Sequence, residues 1–323
     1  MSRRARRIGT LVLTVAAIAY LVWKIQLRTT LDVLGETNLA WFALSAAIML
    51  VTVPALAARW GWLLDAHGIR ESVRWLTRVY FLAYTAGQIL PTSFGGDAVR
   101  VVETTRRHPG RATVVTGTVL LDRGLGGVAT VALGAVGFLL SIGEYDVSAY
   151  LWLEGVFAFG ALLLGFLFFA RSARPLLRRT QRLLERMRLE RPLREFYESI
   201  HSYRGRPHLL GKVFAVTIVV QAVRILSIWA SAKAVGIDLD PRIYYVFGPL
   251  LFLVMLVPFT LNGLAVREAF FVSFLGSVGV GANEAFAAGF LYSLVTLVTA
   301  FPGALIMLHE GLRGDARPRV EHG

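Results

Sequence analysis

The chain has 323 residues, of which 55% are apolar and only 17% are charged, and it contains no cysteine. Soluble domains carry roughly 25% charged residues, so this composition excludes an ordinary water-soluble globular protein. The absence of cysteine excludes a disulfide framework and a thiolate metal site, and the six histidines show no metal-ligand spacing, so we expect no metal and no other cofactor. The net charge of +13 comes mostly from arginines grouped between apolar runs, which is typical of membrane topology rather than of a nucleic-acid-binding groove.

Seven apolar runs are long enough to cross a bilayer as helices, since a span needs about 20 apolar residues. The first also resembles a signal peptide, but its apolar stretch continues past the candidate cleavage site, which favours an uncleaved helix. The shorter run 268–281 predicts an eighth span in an all-α, polytopic membrane protein. The seven longer runs, in chain order, are 8–27, 39–58, 113–140, 150–170, 209–235, 242–262 and 284–308.

The distribution of basic residues predicts the orientation, because lysine and arginine are retained on the cytoplasmic side. With the N-terminus inside, 28 basic residues fall in cytoplasmic segments and 4 in outer segments. Both termini are therefore predicted to be cytoplasmic. The same threading makes segment 79–99, with its apolar run 79–90, enter and leave from the cytoplasm, because both of its flanks are basic. We predict a re-entrant hairpin there, which needs a cavity to shield its non-helical backbone.

An internal repeat divides the chain. Segments 91–100 and 258–267 align without gaps, share five identical positions and lie half a chain length apart. This predicts two membrane pseudo-repeats, 1–170 and 209–323, which are either parallel or inverted. The basic segment between them, 171–208, is either a helix on the anionic cytoplasmic leaflet or a solvated linker. Proline ends a helix and glycine lets another group approach the backbone, so these residues mark the two predicted helix breaks: Pro91, Gly95, Gly96, Pro258 and Gly263.

Two charged residues lie near the centre of a predicted span. Asp122 and Arg123 are roughly 14–15 Å deep by helical rise. An ionised side chain at that depth costs about 2.5–3.5 kcal/mol, so each must face a partner or water. We predict that Arg123 meets a lipid phosphate or Asp97, and that Asp122 pairs with Arg100 or Arg267. The alternative is a buried ion pair that only stabilises the fold.

Other polar residues lie close to the same depth or beside the breaks. Arg224 is similarly deep, Glu268 could neutralise the preceding arginine or another one, and Gln88 and Asn262 flank the breaks. An arginine beside unpaired backbone amides is suited to a phosphate group. The predicted headgroup-binding residues are Gln88, Asp97, Arg100, Asp122, Arg123, Asn262, Arg267 and Glu268.

Three motifs, in this order, resemble the lysylphosphatidylglycerol synthase transmembrane family. They are Gly87-Gln88-x-Leu90-Pro91 with Gly95-Gly96-Asp97-x-x-Arg100, then Leu121-Asp122-Arg123, then Pro258-x-x-x-Asn262-Gly263-x-x-x-Arg267-Glu268. The resemblance implies about eight spans in the plasma membrane of a bacterium or archaeon, and lipid translocation as the function. Ala265 stands where relatives frequently have glycine, which weakens the prediction of close backbone approach at the second break.

The leading hypothesis is a lipid translocase (flippase) for an anionic or aminoacylated phospholipid or a polyprenyl-phosphate lipid. The alternatives are a lipid-headgroup enzyme with Asp97 or Asp122 as general base, and a non-transporting partner of a separately encoded transferase. The longest segment outside the membrane is the basic segment 171–208, which is too short for an aminoacyl-transferase domain. We therefore expect no synthase activity and no enzyme. The expected partners are membrane lipids, with or without such a transferase, and not nucleic acid; the sequence does not predict the oligomeric state.

Overall fold

A computed structural model describes residues 27–89, 95–141, 202–255 and 265–314, with the isolated residues 152, 155 and 159. Within these ranges the protein is all-helical, and a short 3₁₀ turn at Ser202–Gly205 precedes the second group of helices. The α-helices are α1 (Leu27–Gly35), α2 (Leu39–Asp65), α3 (Val73–Ile89), α4 (Gly95–Arg107), α5 (Ala112–Ser141), α6 (Pro207–Ala234), α7 (Pro241–Met255), α8 (Val266–Ser277) and α9 (Ala282–Gly314).

Four of these helices are long and apolar enough to cross a membrane, namely α2, α5, α6 and α9 as far as Glu310. They coincide with four of the predicted apolar runs, 39–58, 113–140, 209–235 and 284–308. The run 242–262 contains α7, an apolar helix of 15 residues, and the run 268–281 contains most of α8, which has 12. The runs 8–27 and 150–170 and the segment 171–208 lie almost entirely outside the described residues. The total of eight spans therefore stays a prediction.

Helix α2 is longer than its sequence pattern indicates. It begins after Asn38, whose side chain caps the helix by accepting a hydrogen bond from the Ala40 amide at 3.0 Å. It ends at Asp65, so the predicted boundary at residue 58 is wrong by about two turns. The extra turns are held by buried apolar residues such as Trp60 and Leu64, and they place Arg59 inside the protein with 5% exposure.

The predicted hairpin 79–99 contains the end of α3 and the start of α4, and residues 90–94, including Pro91, lie outside the described residues. Helix α3 starts well before the apolar run 79–90. Gly96 lies against it: a Cβ at this position would be only 2.7 Å from the carbonyl oxygen of Ala83. Glycine at position 96 therefore allows the close packing of α4 on α3. That the pair re-enters on the cytoplasmic side, and does not cross the membrane, stays a prediction.

The lengths of helices α2 to α5 recur, in the same order, in helices α6 to α9. Helices α2 to α5 have 27, 17, 13 and 30 residues, and helices α6 to α9 have 28, 15, 12 and 33. The separation between the starts of α2 and α6, at Leu39 and Pro207, equals that between the starts of α3 and α7, at Val73 and Pro241. It is also close to the separation of the two repeat segments. The division into 1–170, 171–208 and 209–323 stays a prediction, as does the orientation of the termini.

The two sets of helices pack across each other. Helix α2 lies along α6, α3 packs on α9, and α7 packs on α5. Two glycines permit the last two crossings, since a Cβ on Gly303 would overlap the backbone of Phe81 and one on Gly137 would overlap that of Tyr245. At the α2–α6 contact, the Ser45 hydroxyl donates to the carbonyl of Ser227 at 2.7 Å, which satisfies polar groups in an apolar setting.

Candidate functional site

Asp122 is the centre of a buried ion-pair network. It lies in the middle of α5 with 2% exposure. One carboxylate oxygen is 2.6 Å from a guanidinium nitrogen of Arg59, and the other accepts a hydrogen bond from Arg100 at 2.9 Å. The hydroxyl of Tyr80 donates to that second oxygen at 3.2 Å. Because these partners come from α2, α4 and α3, one carboxylate joins four helices.

Aromatic rings and a hydroxyl compensate the two guanidinium groups for the loss of water. The Arg100 guanidinium lies 4.3 Å from the ring centroid of Trp60 and 4.5 Å from that of Tyr80. Arg59 donates to the hydroxyl of Thr217 on α6 at 2.9 Å. Cation–π contacts and satisfied hydrogen bonds of this kind lower the penalty of burying charge.

The network has an accessible end at Asp97, in the first turn of α4. Its two carboxylate oxygens accept hydrogen bonds from Arg100, at 3.3 Å, and from Arg123. The side chains of Asp97 and Arg123 are 21% and 29% exposed, whereas Asp122 is enclosed. We call Arg59, Arg100, Arg123, Asp97 and Asp122 the first cluster. It holds three positive and two negative groups, and so has one surplus positive charge.

A second group of charges lies where α8 begins. Arg267 and Glu268 are 6% and 5% exposed, and the Arg267 Nε is 3.4 Å from a carboxylate oxygen of Glu268. The hydroxyl of Ser293 on α9 donates to the same oxygen. This arrangement confirms the prediction that Glu268 neutralises Arg267.

Arg224 connects the two groups. It donates a hydrogen bond to the hydroxyl of Tyr84 at 2.7 Å. It also lies within electrostatic reach of Tyr80, which contacts Asp122, and of the buried Tyr292, which is in turn within reach of Arg267. We call Arg224, Arg267 and Glu268 the second cluster. Like the first, it has one surplus positive charge.

The structure confirms some of the predicted pairings and corrects others. Asp122 pairs with Arg100 and Arg123 with Asp97, both as predicted. The alternative pairing of Asp122 with Arg267 is not formed, because Arg267 is occupied by its neighbour Glu268. Among the other predicted site residues, Gln88 is partly buried at the end of α3 and Gly95 is buried at the start of α4. The remaining ones, Pro91, Pro258, Asn262 and Gly263, lie outside the described residues.

Sequence reasoning missed Arg59, which contacts the central carboxylate at 2.6 Å. The predicted topology places this arginine in a cytoplasmic segment, because it follows the predicted end of the apolar run at residue 58. The apolar pattern of Trp60, Leu63 and Leu64 continues the same helix and is the signal that places Arg59 inside it. The aromatic partners Tyr80 and Tyr84 were missed as well, since aromatic residues in an apolar run do not stand out.

One curated relative is the protein named Glycosyltransferase AglD, from Haloferax volcanii. The two are 27% identical over 270 residues, and the match covers 75% of this chain and 43% of that protein. The chain thus spans less than half the length of this relative. By its name the relative is an enzyme, which contradicts the expectation that this chain is not one. That expectation rested on the lack of room for an aminoacyl-transferase domain and on the lack of a recognisable catalytic motif. The first argument does not bear on glycosyl transfer.

The family model described as the lysylphosphatidylglycerol synthase TM region matches residues 7–303, which is nearly the whole chain. This confirms the resemblance carried by the three motifs. Together with the four long apolar helices, it identifies a multi-pass membrane protein with a lipid-related function. The chain belongs to the lysylphosphatidylglycerol synthase transmembrane family.

Proposed function

We propose that the protein binds the anionic headgroup of a membrane lipid at the first cluster and carries that headgroup across the plasma membrane of a bacterium or archaeon. The proposed substrate is an anionic or aminoacylated phospholipid or a polyprenyl-phosphate lipid. The observation that supports this most directly is a partly exposed arginine–aspartate pair, Arg123 and Asp97, attached to a buried network with a surplus positive charge.

The two ends of the first cluster suit different tasks. Asp122, Arg59 and Arg100 are almost fully buried and bonded to one another, so they serve as a fixed framework. Arg123 is accessible, and its planar fork of donors matches a phosphate group. A phosphate that replaces Asp97 as its partner would keep its charge compensated at a depth where an uncompensated charge is expensive.

The residues of the second break, with Gln88 of the first, would contact the rest of the headgroup. Arg267 and Glu268 start α8, and Asn262 and Gln88 are proposed to hydrogen-bond the polar substituent that the phosphate carries. The acyl or prenyl chains would remain in the bilayer throughout. Both termini are proposed to be cytoplasmic, and a separately encoded transferase is proposed as a partner that supplies or uses the lipid.

The test is a transbilayer exchange assay with the purified full chain in proteoliposomes. Fluorescent phosphatidylglycerol or a fluorescent prenyl phosphate is added, and a membrane-impermeant reductant reports which leaflet the probe occupies. Arg123→Gln should slow exchange about tenfold or more, the value of one charge-assisted contact. The matched control is Arg70→Gln, because Arg70 is 86% exposed and pairs with Asp65 at the surface. Exchange by Arg123→Gln at the wild-type rate would refute the proposal.

The name of the relative favours a second candidate, participation in glycosyl transfer to or from a lipid-linked phosphate. The first cluster would then hold the lipid phosphate during sugar transfer. The same liposomes distinguish the two, because transfer changes the mass of the lipid and exchange does not. A new glycolipid mass in the presence of a sugar donor, with no exchange of the fluorescent probe, would replace the first proposal by this one.

A further inference from the structure

Arg224 differs from the other arginines that lie within the apolar part of the structure. Each of the other four forms an ion pair with a carboxylate, and they are Arg59, Arg100, Arg123 and Arg267. Arg224 forms none with any residue in the described ranges. It donates its hydrogen bond to a neutral phenol, that of Tyr84.

The position of Arg224 makes this lack of a carboxylate costly. It lies well inside the apolar helix α6, about 15 Å along the helix axis from the end at Ala234. Its Nε is buried and, within the described part of the chain, has no hydrogen-bond partner, as is also true of the Nε atoms of Arg59 and Arg100. What sets Arg224 apart is therefore the lack of a carboxylate and not its Nε. A guanidinium at such a depth needs an anion, a water-filled cavity or both. The residue as a whole is partly exposed.

The atoms around Arg224 are suited to an oxyanion. Tyr84 accepts the guanidinium hydrogen bond at 2.7 Å, and its own hydroxyl proton is not donated to any described residue. Arginine and tyrosine together therefore present hydrogen-bond donors to the same region, with no described carboxylate paired with them to repel a negative charge. A planar guanidinium with an adjacent hydroxyl is a typical phosphate-binding arrangement.

This place is separate from the first cluster but close to it. Tyr80 and Tyr84 are one turn apart on α3, about 6 Å along its axis. Tyr80 donates to Asp122 of the first cluster, and Tyr84 contacts Arg224. Asp122 of the first cluster and Arg224 thus contact two side chains that are one helical turn apart. Arg267 is compensated by Glu268, so it is Arg224 that carries the surplus of the second cluster.

We infer that Arg224 and Tyr84 form a second anion subsite and that the bound headgroup carries two phosphoryl groups, as a lipid diphosphate does. The inference rests on the proposed function, in which the first cluster takes the first phosphoryl group. A phosphate monoester carries about two negative charges, so the inference depends on position and not on the charge count. One phosphoryl group held at the first cluster leaves Arg224 without an anion beside it, and the second phosphoryl group of a diphosphate supplies that anion.

The test measures the affinity of the purified full chain, in detergent, for three probes. Binding is detected by the rise in the unfolding temperature that a bound ligand causes. The probes are farnesyl monophosphate, farnesyl diphosphate and inorganic pyrophosphate. The wild-type protein should bind the farnesyl diphosphate about tenfold more tightly than the monophosphate, because one further charge-assisted contact is made. Arg224→Gln should remove this preference and lower the affinity for the diphosphate to that for the monophosphate. Arg224→Lys should retain part of the preference, and Arg70→Gln all of it.

Several results would overturn the inference. Each of them bears on a different part: the second subsite, the proposed function or the assignment of the ligand as a lipid. Equal affinity of the wild type for the two farnesyl probes, or a diphosphate preference that survives in Arg224→Gln, removes the second subsite and leaves the proposed function standing. No binding of either farnesyl probe overturns the subsite together with the polyprenyl-phosphate form of the proposed function, and leaves its phospholipid form standing. Pyrophosphate binding as tight as that of farnesyl diphosphate supports the subsite and overturns its assignment to a lipid.

The ligand-free protein gives an independent readout. Arg224→Gln removes a positive charge that no described carboxylate compensates, so it should raise the unfolding temperature. A role in holding the fold together through Tyr84 predicts the opposite, and a lowered unfolding temperature would overturn the inference. Asp122→Asn is the contrasting variant, since it leaves Arg59 and Arg100 without their shared carboxylate and should lower the unfolding temperature.

Discussion

Ala265 holds a backbone conformation that is unfavourable for its side chain. Its φ of 66° makes it the one residue other than glycine with a positive φ in the described ranges. This region costs an L-residue about 1–2 kcal/mol relative to glycine. The residue lies directly before α8, whose first turn carries Arg267 and Glu268. Strain is therefore stored beside the second cluster, at the position where the family resemblance predicts glycine.

Ala265→Gly should relieve this strain. We expect the free energy of unfolding to rise by about 0.5–1 kcal/mol, since the relief exceeds the entropy that glycine adds to the unfolded chain. Chemical denaturation in detergent measures the change. Ala269→Gly is the control within the same helix, where the substitution should cost about 1 kcal/mol. Equal destabilisation by both variants would show that Ala265 is not strained.

At the residue scale, the sequence predicted charges but not all of their partners. Asp122 and Arg123 stand out because an apolar run rarely contains ionised groups, and their pairing with Arg100 and Asp97 was within the predicted alternatives. Arg59 did not stand out, since an arginine at the end of an apolar run is the usual mark of a cytoplasmic boundary. The apolar residues that follow it continue the helix, and the packing of α2 against α5 and α6 shows that Arg59 is buried.

Among the helices, two crossings depend on glycine. Gly137 on α5 lies against the backbone of Tyr245, and Gly303 on α9 lies against that of Phe81. Gly137→Ala and Gly303→Ala should each lower the free energy of unfolding by about 1–3 kcal/mol, because the added methyl group forces the helices apart. Gly127→Ala, also on α5, has no neighbouring atom within 4 Å of its new Cβ and should be neutral or stabilising. Thermal unfolding of the three variants checks this, and similar values for all three would contradict it.

The predicted helices match the observed ones best where hydropathy alone determines the length of the helix. Helices α2, α5, α6 and α9 are long because lipid requires about 20 apolar residues to satisfy the backbone across the bilayer. The bounds of α3 and α4 were less predictable. They contain polar residues that other helices shield, and hydropathy measures contact with lipid rather than contact with protein.

The orientation of the whole molecule can be tested with single cysteines, because the chain has none of its own. Asp238 and Arg106 both have exposed side chains, at 88% and 74%. The distribution of basic residues predicts that Asp238 faces outward and Arg106 the cytoplasm. In intact cells an impermeant maleimide should label Asp238→Cys at once and Arg106→Cys only after permeabilisation. The reverse labelling pattern would invert the predicted topology.

For the molecule as a whole, the internal repeat indicated two related halves but not how they meet. Five identical positions specify a similar local turn and an arginine beside it. They carry no information on which helices become neighbours, since those contacts depend on the shapes of many side chains. The crossed packing of α3 on α9 and of α7 on α5 is therefore a finding of the structure alone.

This crossed packing limits the ways in which the proposed passage for lipid can open. If the two sets of helices swung apart as rigid bodies, they would tear α3 from α9 and α7 from α5 and expose the Thr85 hydroxyl, which donates to the Ala300 carbonyl at 2.6 Å. The contacts of α3 with α9 and of α7 with α5 therefore resist any motion that separates helices α2 to α5 from helices α6 to α9 as two blocks.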